Sequence, residues 1–254
     1  LHEWSSTAFM LNTSLTSGGA VLAFTNNNLA PDFELNNVLF TNNTSVLGSG
    51  GGMFMNGGTF TTQNLIMHQN SALEGTGGGI YMAYASYLYG EFASFVMNQS
   101  DNGGALYIEN WGNGGYIQMY NMDFSLNEGG NNRDLRISGV GSSDVFSNIN
   151  LFDGGAGSVM QDFSTTTNDE ALYIDADAFP PNLRLSPDSA LYRSQAASTG
   201  DRMDPDNTEA DIGAYAGSNA DKWDIDGDGY YQCWNMNECD DTIHDSDDFN
   251  PDLH

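Results

Sequence analysis

The chain has 254 residues, with 34 acidic against 6 basic side chains and a formal net charge of -28. That balance excludes a protein that holds nucleic acid by neutralising phosphates, and it makes anionic lipid or acidic polysaccharide a poor partner unless a divalent cation mediates. Apolar residues make up 39% of the chain, too many for a disordered polymer, and no run approaches the roughly 20 apolar residues of a membrane span.

The start, "LHEWSSTAFM", has neither the basic opening nor the apolar core of a signal peptide, so the chain reads as a mature or fragmentary piece of a longer secreted precursor. Self-similarity then governs residues 6–153. A glycine pair followed by an apolar strand recurs as "GGAVLAF" (18–24), "GGMFM" (51–55), "GGIYMAY" (78–84) and "GGALYIE" (103–109). Between these lie "NVLFTNN" (37–43), "NLIMHQN" (64–70), "SFVMNQS" (94–100) and "NMDFSLN" (121–127), with "STAFMLN" (6–12) and "NINLFD" (148–153) as incomplete copies.

Each copy alternates apolar and polar positions over four to six residues, which is strand periodicity with one buried face. In "NLIMHQN", Leu65, Met67 and Gln69 share one face, and Ile66 and His68 the other. Short strands in tandem with glycine corners predict a solenoid whose coils stack strand on strand. An antiparallel barrel would return its hairpins every 8–12 residues, whereas this repeat returns every 25–33. Asn43, Asn70 and Asn127, at matching ends of their copies, are expected to form an internal amide ladder.

These motifs carry a resemblance. "GGA-apolar" with "F-x-x-N" is similar to the paired repeat of the polymorphic outer-membrane proteins of chlamydiae and, more broadly, to the right-handed parallel β-helix repeats of bacterial surface proteins. Phe40 to Asn43 and Phe124 to Asn127 match the second half in full, and Met67 to Asn70 keeps the Asn. The resemblance covers about residues 5–155. It implies an all-β fold: a single-stranded, right-handed parallel β-helix of pectin-lyase-like type over residues 1–180, with coils missing before Leu1.

Residues 186–217, "SPDSALYRSQAASTGDRMDPDNTEADIGAYAG", resemble the closing segment of secreted bacterial β-helix proteins. A cap over 181–218 is therefore expected. Pro187 and Pro205 stop strand pairing there, and Ala190, Leu191, Ile212, Ala214 and Tyr215 would seal the apolar interior of the last coil. Within it, Asp201, Asp204, Asp206, Glu209 and Asp211 form a second candidate calcium cluster, or a plain turn-rich loop.

Residues 219–254 form an acidic module. In "DIDGDGYYQCWNMNECDD" (224–241), Asp224, Asp226 and Asp228 take positions one, three and five of a calcium loop, and Gly229 turns the Tyr230 carbonyl inward. An EF-hand would place Glu at position twelve, which is Asn235 here, so the remaining carboxylates must be Glu238, Asp240 or Asp241. The spacing resembles the thrombospondin type 3 repeat. It is closer to a metal-binding repeat of secreted deltaproteobacterial and myxobacterial proteins, first linked to a copper-associated surface protein of methane oxidisers. Copper favours His, Met and thiolate, and carboxylates dominate here, so calcium is the expected ion; a solvated acidic tail is the alternative. Cys233 and Cys239, the only cysteines, read as a local disulfide and hence an oxidising compartment, or as a reduced pair.

Signs of catalysis are thin. Arg133 and Arg136 are the only basic residues of the solenoid, and with Asp134 they are expected to form a surface ion pair. His68 reads as a surface or ladder residue, and no paired-carboxylate hydrolase motif occurs. Trp111, Tyr81, Tyr84, Tyr87 and Tyr89 are candidates for stacking on sugar. The expectation is an extracellular or cell-surface structural or adhesive protein, a calcium-stabilised rod. Its partners are self-association, another surface protein or a glycan, with neither nucleic acid nor membrane insertion. The alternatives are a carbohydrate-binding or polysaccharide-degrading pectin-lyase-like protein and a copper-binding surface protein.

Overall fold

The computed structural model describes residues 1–24, 30–84, 87–109, 116–130, 133–138, 144–152, 156–157, 166–179, 181–192, 203–204, 210–220, 223, 231–232 and 244–245; of 156–157, 166–167, 231–232 and 244–245 it describes the backbone alone. The chain is a parallel β-solenoid. Its first turn carries β1 (His2–Met10), β2 (Thr13–Ser14) and β3 (Val21–Phe24); the second β4 (Asp32–Thr41), β5 (Thr44–Ser45) and β6 (Met53–Asn56). The third carries β7 (Thr59–His68), β8 (Ser71–Thr76) and β9 (Ile80–Ala83), and the fourth β10 (Tyr87–Val96), β11 (Gln99–Asn102) and β12 (Leu106–Glu109). Then come β13 (Tyr116–Ser125), β14 (Leu135–Ile137), β15 (Val145–Phe152), β16 (Ala156–Gly157) and β17 (Thr166–Thr167).

Three parallel sheets result: a long one in the order β1-β4-β7-β10-β13-β15-β17, a narrow one of β2, β5, β8 and β11, and a third running from β3 through β6, β9, β12 and β14 to β16. Register puts like on like. Phe9, Phe40, Met67, Phe95, Phe124 and Leu151 form one inward column of the long sheet, and Met53, Ile80, Leu106 and Leu135 face them from the third sheet. Phe9 on Phe40 and Phe95 on Phe124 stack at 4.6 and 4.8 Å, close to the rung spacing of a sheet.

The glycine pairs serve two different needs. Gly18, Gly50, Gly77 and Gly103 sit at φ 69°, 71°, 65° and 63°, which a side chain disfavours. Their followers are packed backbone on backbone: a Cβ on Gly51 would lie 2.2 Å from the Gly78 carbonyl oxygen.

The amide ladder exists and is longer than the sequence suggested. It runs Asn12, Asn43, Asn70, Asn98, Asn127, and each of the first four donates from backbone and side chain to the Oδ1 of the next at 2.9–3.1 Å. Asn127 passes the ladder to buried Asp134, whose Oδ1 accepts at 2.9 Å. Asp134 is therefore the foot of an internal ladder, not a surface partner as expected, and Arg136 lies over the Tyr107 ring at 5.2 Å.

A second Asn column was not anticipated. Asn37, Asn64, Asn121 and Asn148 all sit near φ 55°, interrupting the strand alternation of the long sheet at mid-strand, and Phe92 takes the same place at φ 53°. The fourth copy is thus residues 92–98, two earlier than the expected "SFVMNQS", because Phe stands where the others carry Asn. Gln69 also differs: its φ of 48° breaks the alternation after His68 and turns Asn70 inward.

Candidate functional site

Among the described residues the long sheet has the most and the longest strands, and this chain covers its outer face with its own C-terminal residues. A strap crosses it in two passes. The first goes from Asp169, bonded to Asn150, past Tyr173 on Asp123 to Ala176 on His68. An antiparallel hairpin of β18 (Tyr173–Asp175) and β19 (Asn182–Leu185) follows. The second pass puts the Gly213 amide on the Asn121 carbonyl, Ala214 on Ser94, and Ala214 and Ala216 on the Asn64 amide. It ends with Asn219 on Gln63 and Asn37.

Ala214, Tyr215 and Trp223 pack with Leu39, Ile66 and Val96 of the long sheet. Leu191 and Ile212 pack with Ala171, while Ala190 is exposed. The residues expected to seal the last coil thus lie along the solenoid's flank. The outward positions they cover are apolar, which gives them a place to bind.

Two titratable groups are trapped beneath the strap. Asp123 accepts from Ser125 at 2.8 Å, from Asn150 at 2.7 Å and from the Tyr173 hydroxyl. Burial raises its pKa, and these three donors pull it back. Burial beside that carboxylate also lifts the Tyr173 hydroxyl, which therefore remains a donor. His68 is fully enclosed. The Ala176 carbonyl can only accept, so Nε2–H donates to it (2.9 Å) and Nδ1 takes the Thr41 hydroxyl (3.0 Å). Burial holds its pKa down at about 4, against the pull of Asp177. This is a ladder contact, Thr41 and His68 being register partners, but not a surface one.

On the third sheet, the outward positions form a ring column. Phe54 stacks on Tyr81 at 4.9 Å and Tyr81 on Tyr107 at 5.4 Å, and Arg136 closes the far face of Tyr107. The Tyr81 hydroxyl donates to Glu109, and burial with that contact raises its pKa. With both faces of Tyr81 covered, a sugar has no ring face to stack on there. Tyr89 donates to Glu91 at 2.8 Å. Among the described residues Tyr84 and Tyr116 are the open tyrosines, 63% and 40% exposed, and Tyr87 sits edge-on to Tyr116.

Of the residues expected to bind calcium, Asp224, Asp226, Asp228, Tyr230, Glu238, Asp240 and Asp241 lie outside the described residues, as do Asp201, Asp206, Glu209, Cys233, Cys239 and Trp111. Asp204 and Asp211 are buried within the strap, and Asp204 Oδ1 accepts from the Gly217 amide at 2.7 Å. Among the described residues no group of three or more His, Cys, Asp or Glu is disposed to hold a metal ion. Among the described residues after Trp223, the backbone of β20 (Tyr231–Gln232) pairs in parallel with that of β21 (His244–Asp245). No family model matches the chain, and neither a curated protein nor a solved structure is found similar to it.

Proposed function

We propose that this is an extracellular structural or adhesive protein: a right-handed β-helical rod stabilised by calcium bound at its C-terminal acidic module. The observation that carries the reading is the occupied flank of the long sheet. The outer face of the long sheet is covered by the chain's own strap, held by Asn37, Asn64, Ser94 and Asp123. Columns of like residues stacked turn on turn add stiffness along the axis.

Calcium enters through Asp224, Asp226, Asp228, the Tyr230 carbonyl and a carboxylate among Glu238, Asp240 and Asp241, a hard-oxygen set suited to a large cation. Ten carboxylates from Asp224 onward, with no Lys or Arg among them, repel one another until a cation intervenes. Calorimetric titration of calcium into chelator-treated protein tests this. Binding in the micromolar to millimolar range supports the reading; the absence of heat at millimolar calcium contradicts it.

Tyr84 and Tyr116 favour a second reading, contact with a neutral glycan, since exposed tyrosines offer both a ring and a hydroxyl. Retardation in gels cast with laminarin, abolished by Tyr84→Ala with Tyr116→Ala, would support it.

A further inference from the structure

The narrow sheet changes shape between the third and fourth turns. Ser100 of β11 pairs with Ala72 of β8, and Asn102 with Thr76, so Leu73, Glu74 and Gly75 stand against Asp101 alone. Bulges of this kind re-aim the side chains beside them. Next to the bulge the surface is recessed. One cavity of about 520 Å³ is lined by Gln99, Asp101, Glu128 and Arg133. A second, of about 430 Å³, shares Gln99, Glu128 and Arg133 and adds Gln69, Met97 and Leu126. The shared residues make the two one continuous groove.

The backbone fixes what the groove presents. Glu128 pairs with Gln99 across one rung: the Ser100 amide donates to the Glu128 carbonyl, and the Glu128 amide to the Asn98 carbonyl. Strand alternation buries Ser100 and leaves Gln99 and Asp101 exposed on either side of it, with Glu128 and Arg133 exposed beside them. Met97 and Leu126 sit at φ 56° and 57°, each just before a buried ladder Asn. Leu126 is 39% exposed, and the Gln69 amide reaches the Met97 sulfur at 3.6 Å.

We propose that this groove binds a neutral glycan. Every sugar hydroxyl both donates and accepts, and the groove offers both functions at fixed places. Asp101 and Glu128 accept, Arg133 donates, and the amides of Gln69 and Gln99 do both. Met97 and Leu126 supply an apolar patch for the C–H face of a sugar ring. Charge narrows the class. An anionic ligand meets two carboxylates on a chain of net charge -28, and a cationic one meets Arg133. The volume falls in the range of roughly 300–1,000 Å³ that small-ligand sites occupy. This site lies where the long sheet gives way to the narrow one. Tyr84 follows β9 and Tyr116 opens β13, a different corner of the coil, so the groove depends neither on those tyrosines nor on calcium.

An array of immobilised neutral glucans, mannans and xylans, uronate-containing and sialylated glycans, and basic peptides tests the proposal on the full chain. Neutral oligosaccharides should be captured, and Asp101→Ala with Glu128→Ala should bind them at least about tenfold more weakly. Both positions are exposed, so the melting temperature should not move. Gln99→Trp keeps both carboxylates but fills the groove, and should lose binding too. Raising sodium chloride from about 0.05 to 0.5 M should leave affinity unchanged, because a neutral ligand brings no charge to screen. Capture of no neutral glycan overturns the proposal, as does binding that survives both groove variants. Preference for the anionic glycans or the basic peptides overturns it as well. Tyr84→Ala with Tyr116→Ala separates the two glycan readings. If only that variant loses laminarin, the tyrosines bind and the groove does not; if only the groove variants lose it, the groove stands and the tyrosine reading falls.

Discussion

Asn70 shows how much one side chain can carry. It accepts the backbone and side-chain amides of Asn43 through Oδ1, and its Nδ2 donates to Phe40 and Asn98, all in the buried interior. Asn70→Ala strands two donors and the Phe40 carbonyl, each worth roughly 1–3 kcal/mol when buried. A loss of about 3 kcal/mol or more is expected, read as a lower urea midpoint. His68 makes stability depend on pH. Unfolded, it titrates near its ordinary 6.5, and folded at about 4, so between these values the unfolded chain binds more protons. Its contribution is complete above pH 6.5 and is lost as pH falls toward 4, about 3 kcal/mol in all. Asp123, whose pKa is raised, acts in the opposite sense, since its burial destabilises the fold as pH rises above the ordinary carboxylate range. His68→Gln can still donate to Ala176 and accept from Thr41, and unfolding curves from pH 4 to 6.5 should flatten in that variant.

At the scale of elements, the repeat was legible and the strap was not. Strand alternation and the terminal Asn of each copy predicted stacked turns and the ladder, because each depends on residues close together in the chain. The left-handed Asn37 column was also in plain sight, as the first letter of "NVLFTNN" and "NLIMHQN", but an Asn before an apolar run reads as an ordinary turn. The course of the strap depends on contacts more than a hundred residues apart, such as Asn64 with Ala214. One signal did exist: "VLF" and "LIM" are apolar at consecutive positions, which marks strands buried on both faces. The calcium-loop residues stay a sequence expectation, since they lie outside the described residues. Two glycines separate the packing roles. Gly217, at φ 75°, clamps the strap to the sheet so closely that a Cβ there would sit 2.5 Å from the Phe92 ring. Gly217→Ala should therefore cost roughly 2 kcal/mol or more. At Gly90 an added methyl meets only the movable end of Met122, beside a small apolar void lined by Thr62, Met119 and Met122. Gly90→Ala should be neutral or stabilising by up to about 1 kcal/mol, and chemical denaturation of the pair distinguishes the two.

For the molecule as a whole, charge and architecture pull apart. The solenoid's stacked columns hold it together, while 22 of 34 acids crowd into residues 161–254 and repel one another at low ionic strength. A cation bound only by the folded state relieves that strain and stabilises by mass action, about 2.7 kcal/mol at a hundredfold excess over the dissociation constant. Monovalent salt screens the same repulsion without requiring a site, so specificity is the point at issue. The most direct measurement is a set of melting curves of the full chain in chelator, in calcium, and in sodium chloride of matched ionic strength, repeated on Asp224→Asn with Asp226→Asn and Asp228→Asn. A calcium-stabilised rod melts several degrees higher in calcium than in matched sodium chloride, and the triple variant loses that difference. Equal melting temperatures in calcium and sodium chloride, or a calcium effect that survives the triple variant, would contradict it.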